Sequence, residues 1–535
     1  MRDPAGQAAT PPMTPSRLLA RLIETPGWKR RGVAFAAGIC AALAQAPFYL
    51  LPLMAAGYAV FLLLTDAARR EACPARAGFS LGWFFGFGYF VLGLYWLGNA
   101  FLVQAEEFAW MIPFVLTAFP AFLALFFAGA GAAVAKLKIE GPLRIFPAAA
   151  ALMVFEYLRG HILTGLPWNL PAQALAGTAA GAQTAAWWGA YGLSLVALIL
   201  AMTPAAFATA GKQGFVKGAV LSVVGIAALF MIGFVRLWTA GAHEVPDVFV
   251  RIVQPDIPQR EKIDGDLWQR NYERQISMSA APGPATGTLF IVWPENAVPV
   301  IDEVQSGLDA LHKALPANAI LLAGAVRREI DAKGGERFFN SFSVIEDKDG
   351  ARLPVAHYDK HHLVPFGEYL PLQGLLRAVG LAQLAPYDDG FTAGPGPRAI
   401  RLDGVPAFSP IICYEAIFPG AIYPKGDRPD FIVNVTNDGW FGDSSGPRQH
   451  LDQARLRVIE TGLPMARSAN TGVSALFDAA GRLNSTVGLY KAGVIDAPLP
   501  KALPPTLYDR IGDLFFLVLL IASGIGGYFA ARASR

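Results

Sequence analysis

The sequence predicts a multi-domain protein of two unlike parts, a polytopic α-helical membrane bundle of about eight spans and a globular α/β sandwich inserted before the last span. Three observations predict it. Apolar residues make up 54% of the 535 and charged residues only 16%, a balance foreign to soluble chains. Long apolar stretches crowd the first 240 or so residues, whereas His243 to about Pro505 carries short β-rich runs and amphipathic helical patterns.

The elements follow in order. Residues 1–30, rich in Pro and Ala, lack the short apolar core and small-residue cleavage site of a removable signal peptide and read as a cytosolic tail. A bilayer core of roughly 30 Å needs about 20 apolar residues in a helix. Such stretches fall at 31–47, 48–66, 79–103, 109–135, 143–160, 184–208 and 216–238, a bundle over 31–240, and at 511–531. The prolines of "APFYLLP" mark a tight connection between the first two. Basic residues then orient the bundle, because cytoplasmic loops are enriched in them. Arg17, Arg21, Lys29, Arg30 and Arg31 precede the first span, Arg69, Arg70 and Arg76 follow the second, and Lys136, Lys138 and Arg144 follow the fourth. Lys212 and Lys217 precede the seventh, while "NAFLVQAEEFAW" between the third and fourth holds two glutamates and no basic residue. Both termini are therefore expected in the cytoplasm and the globular part on the opposite face, the periplasm of a bacterial inner membrane. Glu156 and Arg159, near the end of the fifth span, either mark the interface or serve function, since charges inside a bilayer are costly.

In the globular part, expected over 247–500, the runs "VFVRIVQ", "TLFIVWPE", "AILLAGAV", "FSVIE", "FSPIICYE" and "DFIVNVTND" read as strands. Several are apolar on consecutive positions, as strands covered on both faces must be. "SGLDALHKAL" and "QHLDQARLRVIETG" read as helices between them. The net charge of +3, with no basic block, gives no sign of a nucleic-acid partner and leaves membrane phospholipid open. Cys40, Cys73 and Cys413 have no metal-ligand spacing and form no disulfide framework. His361 and His362 are a poor metal signal, because neighbours on a strand point to opposite faces. No metal and no dissociable cofactor are expected.

Three polar residues stand at or just after strand ends, where catalysts of α/β sheets collect: Glu295, Lys360 and Cys413. A thiol is mostly protonated at neutral pH and needs a base and a positive field to become a nucleophile, which Glu and Lys supply. Each also has a plainer reading. Glu295 could cap a helix, Lys360 could lie on a solvated loop, Glu368 could be an ordinary loop charge, and "NDGW" could be a turn. For Cys413 an oxidising compartment disfavours an idle free thiol.

The strings "WPENA", "YDKHHLVPFGEYLP", "CYEAIFP", "NVTNDGWFG" and "QHLDQARLRVIETGLPMARSANTG", in that order, carry a resemblance to the carbon–nitrogen hydrolase (nitrilase-like) superfamily from about Val250 to Ala497. With such a domain set before the last of several spans, and with "GYFVLGLYWLGNAF" and "TGLPWN" upstream, the chain resembles the membrane-embedded apolipoprotein N-acyltransferase family within it. The resemblance implies an αββα sandwich and a Glu-Lys-Cys triad, with Cys413 the nucleophile, Glu295 the base and later acid, and Lys360 the cation that stabilises thiolate and oxyanion. It adds Glu368, Tyr414 and Glu415 as supporting residues. It implies a phospholipid acyl donor, diacylglyceryl-cysteine apolipoproteins as acceptors, and a thioester intermediate. Ile263 departs from the family, which often has Trp there, so that residue's lipid contact is not carried over, and Trp268 is the next tryptophan along the chain. A membrane-tethered amidase or nitrilase-type hydrolase would use the same triad. A ligand-binding transporter or receptor would need paired or broken spans, and the first seven stretches show no such doubling.

Overall fold

A computed structural model describes residues 25, 27–137, 139–298, 305–330, 334–371 and 390–533. Most of the expected tail, with Arg17 and Arg21, and Lys138 lie outside these residues.

The first half is helical, with helices Gly27–Ala42, Leu51–Ala68, Pro74–Gly93, Ile112–Lys136, Ile145–His161, Ala185–Phe207 and Gly211–Ala240. Leu514–Ala533 follows the globular part. By length and apolarity three stretches among the described residues could cross a membrane: Leu51–Ala68, Ala105–Lys136 and Ala185–Ala240. The pair Pro74–Gly93 and Tyr95–Leu102, bent by 45°, makes a fourth. The stretch Ala185–Ala240 reverses at Gly211, whose φ of +78° suits glycine, so its two helices lie side by side and Ser222 Oγ donates to Leu200 O at 2.8 Å. Gly27–Ala42, at 16 residues, and Ile145–His161, at 17, are shorter than the usual span.

The expected continuous span 79–103 is instead broken at Leu94. The reason is tertiary. Its last turns are drawn onto the globular part, where Asn99 Nδ2 donates to Phe441 O at 2.7 Å, Trp96 Nε1 to Gln449 Oε1 at 3.1 Å, and the Tyr95 hydroxyl accepts from Ser445 N at 3.2 Å.

The globular part contains strands β1 (Glu244–Gln254), β2 (Thr288–Val298), β3 (Ala319–Ile330), β4 (Glu336–Lys348), β5 (Ala351–Asp359), β6 (Phe408–Ile412), β7 (Phe431–Thr436), β8 (Met465–Ala469), β9 (Ser474–Phe477), β10 (Leu483–Val487) and β11 (Gly493–Pro500). They form a sheet ordered β11-β1-β2-β3-β4-β5 and a second ordered β10-β9-β8-β7-β6. All six runs read as strands from the sequence fall on these strands. Successive residues explain the layering. Phe290 and Val292 face Phe408, Ile412, Phe431 and Val433 of the other sheet, while their neighbours Leu289 and Ile291 face outward. Helices Trp268–Ser279 and Gln305–Ala314 cover that outer face through Tyr272, Leu308 and Leu311. Helix Gly446–Thr461 covers the second sheet through Ala454 and Val458. The result is a four-layered sandwich, helix, sheet, sheet, helix.

Candidate active site

The ends of strands from both sheets converge on one buried cluster. Glu295 sits where β2 loses its pairing with β3, between Trp293 and Val298. Opposite it is Gly324, at which any Cβ would lie 2.4 Å from Glu295 Cα, so the bulge that aims the carboxylate requires glycine there. Lys360 directly follows β5. Cys413 directly follows β6 with a φ of +47°, a left-handed conformation that costs a non-glycine residue about 1–3 kcal/mol. The turn lifts the thiol off the end of the second sheet toward the first.

Lys360 Nζ, 1% exposed, donates to Glu368 Oε1 at 2.9 Å and lies 3.4 Å from Glu295 Oε1. Asn340 Nδ2, from β4, bridges the same two carboxylates at 2.7 Å to Glu295 and 2.6 Å to Glu368. The second oxygen of Glu368 accepts from Val364 N at 2.7 Å. Burial alone would lower the Lys360 ammonium, but Glu368 and Glu295 override it and hold the proton well above the usual lysine range. Burial raises the Glu368 carboxyl against the pull of Lys360. At Cys413 burial comes first and the Glu295 carboxylate second, and both push the thiol up, with Lys360 opposing. The resting sulfur thus carries its proton beside a carboxylate able to accept it.

Tyr414 and Glu415 do different work. Glu415, 1% exposed, accepts from the Tyr358 hydroxyl at 2.7 Å, His361 N at 2.9 Å and Ile412 N at 2.7 Å, and contacts His361 Nδ1 at 2.7 Å. Burial works against its charge, yet the His361 contact and these donors bring its carboxyl below the ordinary value. It ties the Lys360 loop to the turn bearing Cys413. Tyr414 points the other way and donates to Gly165 O at 3.0 Å. His362 Nε2 meets Thr164 O at 2.7 Å, and its ring stacks on Phe418 at 3.6 Å. The two histidines therefore serve separate partners.

The segment that receives them, 162–170, belongs to the membrane half. Glu156 and Arg159 are both buried, bond to one another, and Arg159 also donates to Leu166 O, so they brace this segment. Trp168 Nε1 donates to Gln449 Oε1 at 2.7 Å, and its ring lies 4.8 Å from that of Trp96.

Sequence reasoning did not single out Asn340, nor the buried set Asp438, His450 and Arg467 behind Cys413, although the last three lie in strings that carry the resemblance. His450 Nδ1 meets Asp438 at 2.8 Å, its Nε2 meets Cys413 O at 3.0 Å, and Arg467 Nη2 donates to Asp438 at 2.8 Å. Asp438 opens a short turn, as "NDGW" suggested, but its carboxylate is buried. Burial opposes its charge, and Arg467 and His450 outweigh burial and lower its carboxyl. Cys413, Asp438 and His450 could geometrically gather a metal ion, but a guanidinium already occupies the carboxylate and both imidazole nitrogens are engaged. The donor set does not fit one. Trp268 is 39% exposed and its ring lies 6.1 Å from that of Tyr272, on the outer helix.

Residues 37–203 match the apolipoprotein N-acyltransferase N-terminal domain family, and residues 249–503 match the carbon-nitrogen hydrolase family. The chain is 40% identical to an apolipoprotein N-acyltransferase of Rhodopseudomonas palustris over 94% of its own length and 96% of the relative's. It is 40% identical to one of Bradyrhizobium diazoefficiens over 93% and 94%, and 39% identical to one of Brucella melitensis over 96% and 98%.

Proposed function

The chain belongs to the apolipoprotein N-acyltransferase family, and from that premise we propose that it moves an acyl chain from a phospholipid sn-1 ester, through a thioester on Cys413, to the α-amino group of an apolipoprotein's N-terminal diacylglyceryl-cysteine. The observation that carries this is the meeting of Glu295, Lys360 and Cys413 from the two sheets in one buried cluster. Glu295 takes the thiol proton and the thiolate attacks the ester carbonyl. Lys360, with a backbone N–H after Cys413, stabilises the oxyanion. Collapse forms the thioester and expels the lysophospholipid alkoxide, which takes the proton back from Glu295. The acceptor amine then attacks the thioester, Glu295 removes its proton, and the departing Cys413 thiolate receives it to restore the thiol. Glu368 holds Lys360 in place, Glu415 holds the loops, and Tyr414 joins the site to the membrane half.

We assign 31–240 and 511–531 to the inner membrane as about eight spans and 247–500 to a periplasmic catalytic domain. Contacts support this sidedness. Arg30 meets Glu71 at 2.5 Å, Arg69 donates to Ile139 O at 2.7 Å and Arg144 to Asp66 at 2.9 Å, so the basic loops gather together. The other loop ends touch the globular part, Tyr49 at Asp452, Asn99 at Phe441 and Gly165 at Tyr414. Trp96 and Trp168 beside the site suit an apolar wall that limits water at the thioester.

Incubation with phospholipid alone, followed by intact-mass spectrometry, tests the reading. One acyl chain is expected on Cys413, and none in Cys413→Ala. Turnover that persists in Cys413→Ala defeats it.

A further inference from the structure

A second ammonium reaches this site. Lys262 ends the short helix Gln259–Lys262, and its Nζ donates to the main-chain oxygen of Glu295 at 2.5 Å. Its helix is pinned on several sides. Gln259 accepts from Asn437 at 2.7 Å, Arg260 is drawn away to Glu106 of the membrane half at 2.6 Å, and Glu261 is taken by Arg270. Lys262 is the charge of this helix turned inward, and the groups that face it are Glu295 from β2 and Cys413 from the turn after β6.

Lys360 is enclosed and engaged by Glu295 and Glu368, whereas Lys262 comes from the helix Gln259–Lys262 and meets Glu295 at its main-chain oxygen. Two carboxylates against one ammonium leave the Glu295, Glu368 and Lys360 cluster formally one negative charge in excess, a poor setting for a thiolate. A further positive charge offsets it.

We propose that Lys262 is a second active-site cation whose field favours the thiolate form of Cys413 once Glu295 has accepted the proton. The inference rests on Cys413 as the nucleophile. Burial, opposed by Glu295 and Cys413, brings the Lys262 ammonium down to about 8, so the charge it lends is present at neutral pH and fades in mildly alkaline solution. A lysine that served only packing would have no such dependence.

The rate at which iodoacetamide alkylates Cys413 in the full-length protein in detergent, read by peptide mass spectrometry between about pH 6.5 and 9.5, tests this. Lys262→Met is expected to slow alkylation about tenfold at pH 7, one pKa unit's worth of lost charge stabilisation. The gap should close as the pH rises through 8. Lys262→Arg keeps its charge and is expected to match the wild-type rate at pH 7 and exceed it above 8. Equal rates for wild type and Lys262→Met at pH 7, or a gap constant across the range, would overturn the proposal. If Lys262→Met does not fold, a Lys262→Arg profile that parallels wild type above pH 8 overturns it instead. The nucleophile assignment fails separately, through an acyl-enzyme that survives in Cys413→Ala.

Discussion

On the proposed mechanism, single side chains govern the ionisation of the Cys413 sulfur. Removing Glu368 strips Lys360 of its 2.9 Å partner and leaves Glu295 alone to oppose the burial that lowers its ammonium. Glu368→Gln is therefore expected to cut kcat roughly 10²-fold with little change in KM and an unchanged melting profile. A fall confined to KM would show that Glu368 binds substrate instead. Glu415 makes a contrasting case, because its contacts are to Tyr358, His361 and Ile412, not to the thiol. Glu415→Ala should cost about 3–5 kcal/mol, since several buried donors lose one acceptor, and appear first as a lower Tm. An unaltered Tm with lost activity would give Glu415 a direct chemical role. Glu295, Lys360 and Cys413 could be picked out in the sequence, because each is a polar residue at or just after an expected strand end, while Glu368, Tyr414 and Glu415 came only from the family resemblance of the strings that hold them. Lys262 and Asn340 could not be picked out, since an ordinary Lys or Asn becomes distinctive only when folding places it against Glu295.

Elements deliver those side chains, and the delivery depends on two local irregularities. The β2 bulge aims Glu295 only because Gly324 leaves room beneath it. Gly324→Ala would force backbone apart at the base, and a loss of about 1–3 kcal/mol with near-complete loss of acyl-enzyme formation is expected. Normal acylation in that variant would mean that the bulge does not set the position of the base. The break at Leu94 is the second irregularity, and it shows how far apolar periodicity reaches. Hydropathy runs on through 79–103, so it reads as one helix, while the bend follows from hydrogen bonds of Asn99, Trp96 and Tyr95 to residues more than three hundred positions away. Strands β5 and β8 to β11 likewise escaped the sequence reading. Their residues alternate weakly or are polar, and they are strands because a neighbouring edge supplies partners.

At the scale of the whole molecule the two halves share one core. Tyr414, Ile417, Phe418, Leu456 and Ile459 of the globular part pack in the same apolar cluster as Tyr89, Trp168 and Tyr191 of the membrane half. A fragment spanning 243–505 alone would expose that surface, and it is expected to need detergent and to form no acyl-enzyme. Soluble turnover of a small amide by the fragment would favour the hydrolase reading. Orientation can be tested through Cys73, exposed on the basic side. A membrane-impermeant maleimide should label it in lysed but not intact spheroplasts, and the reverse result would invert the topology. By itself the sequence determined the division into an apolar helical half and an α/β half, the core strands, and the placement of Glu295, Lys360 and Cys413 at or just after strand ends. Composition and periodicity are local properties, readable without neighbours. Only the tertiary structure decided which helix breaks, what braces the segment 162–170 against Tyr414, and that the Lys262 ammonium meets the main-chain oxygen of Glu295. Those outcomes depend on burial and on distances between residues far apart in the chain, which no local pattern encodes.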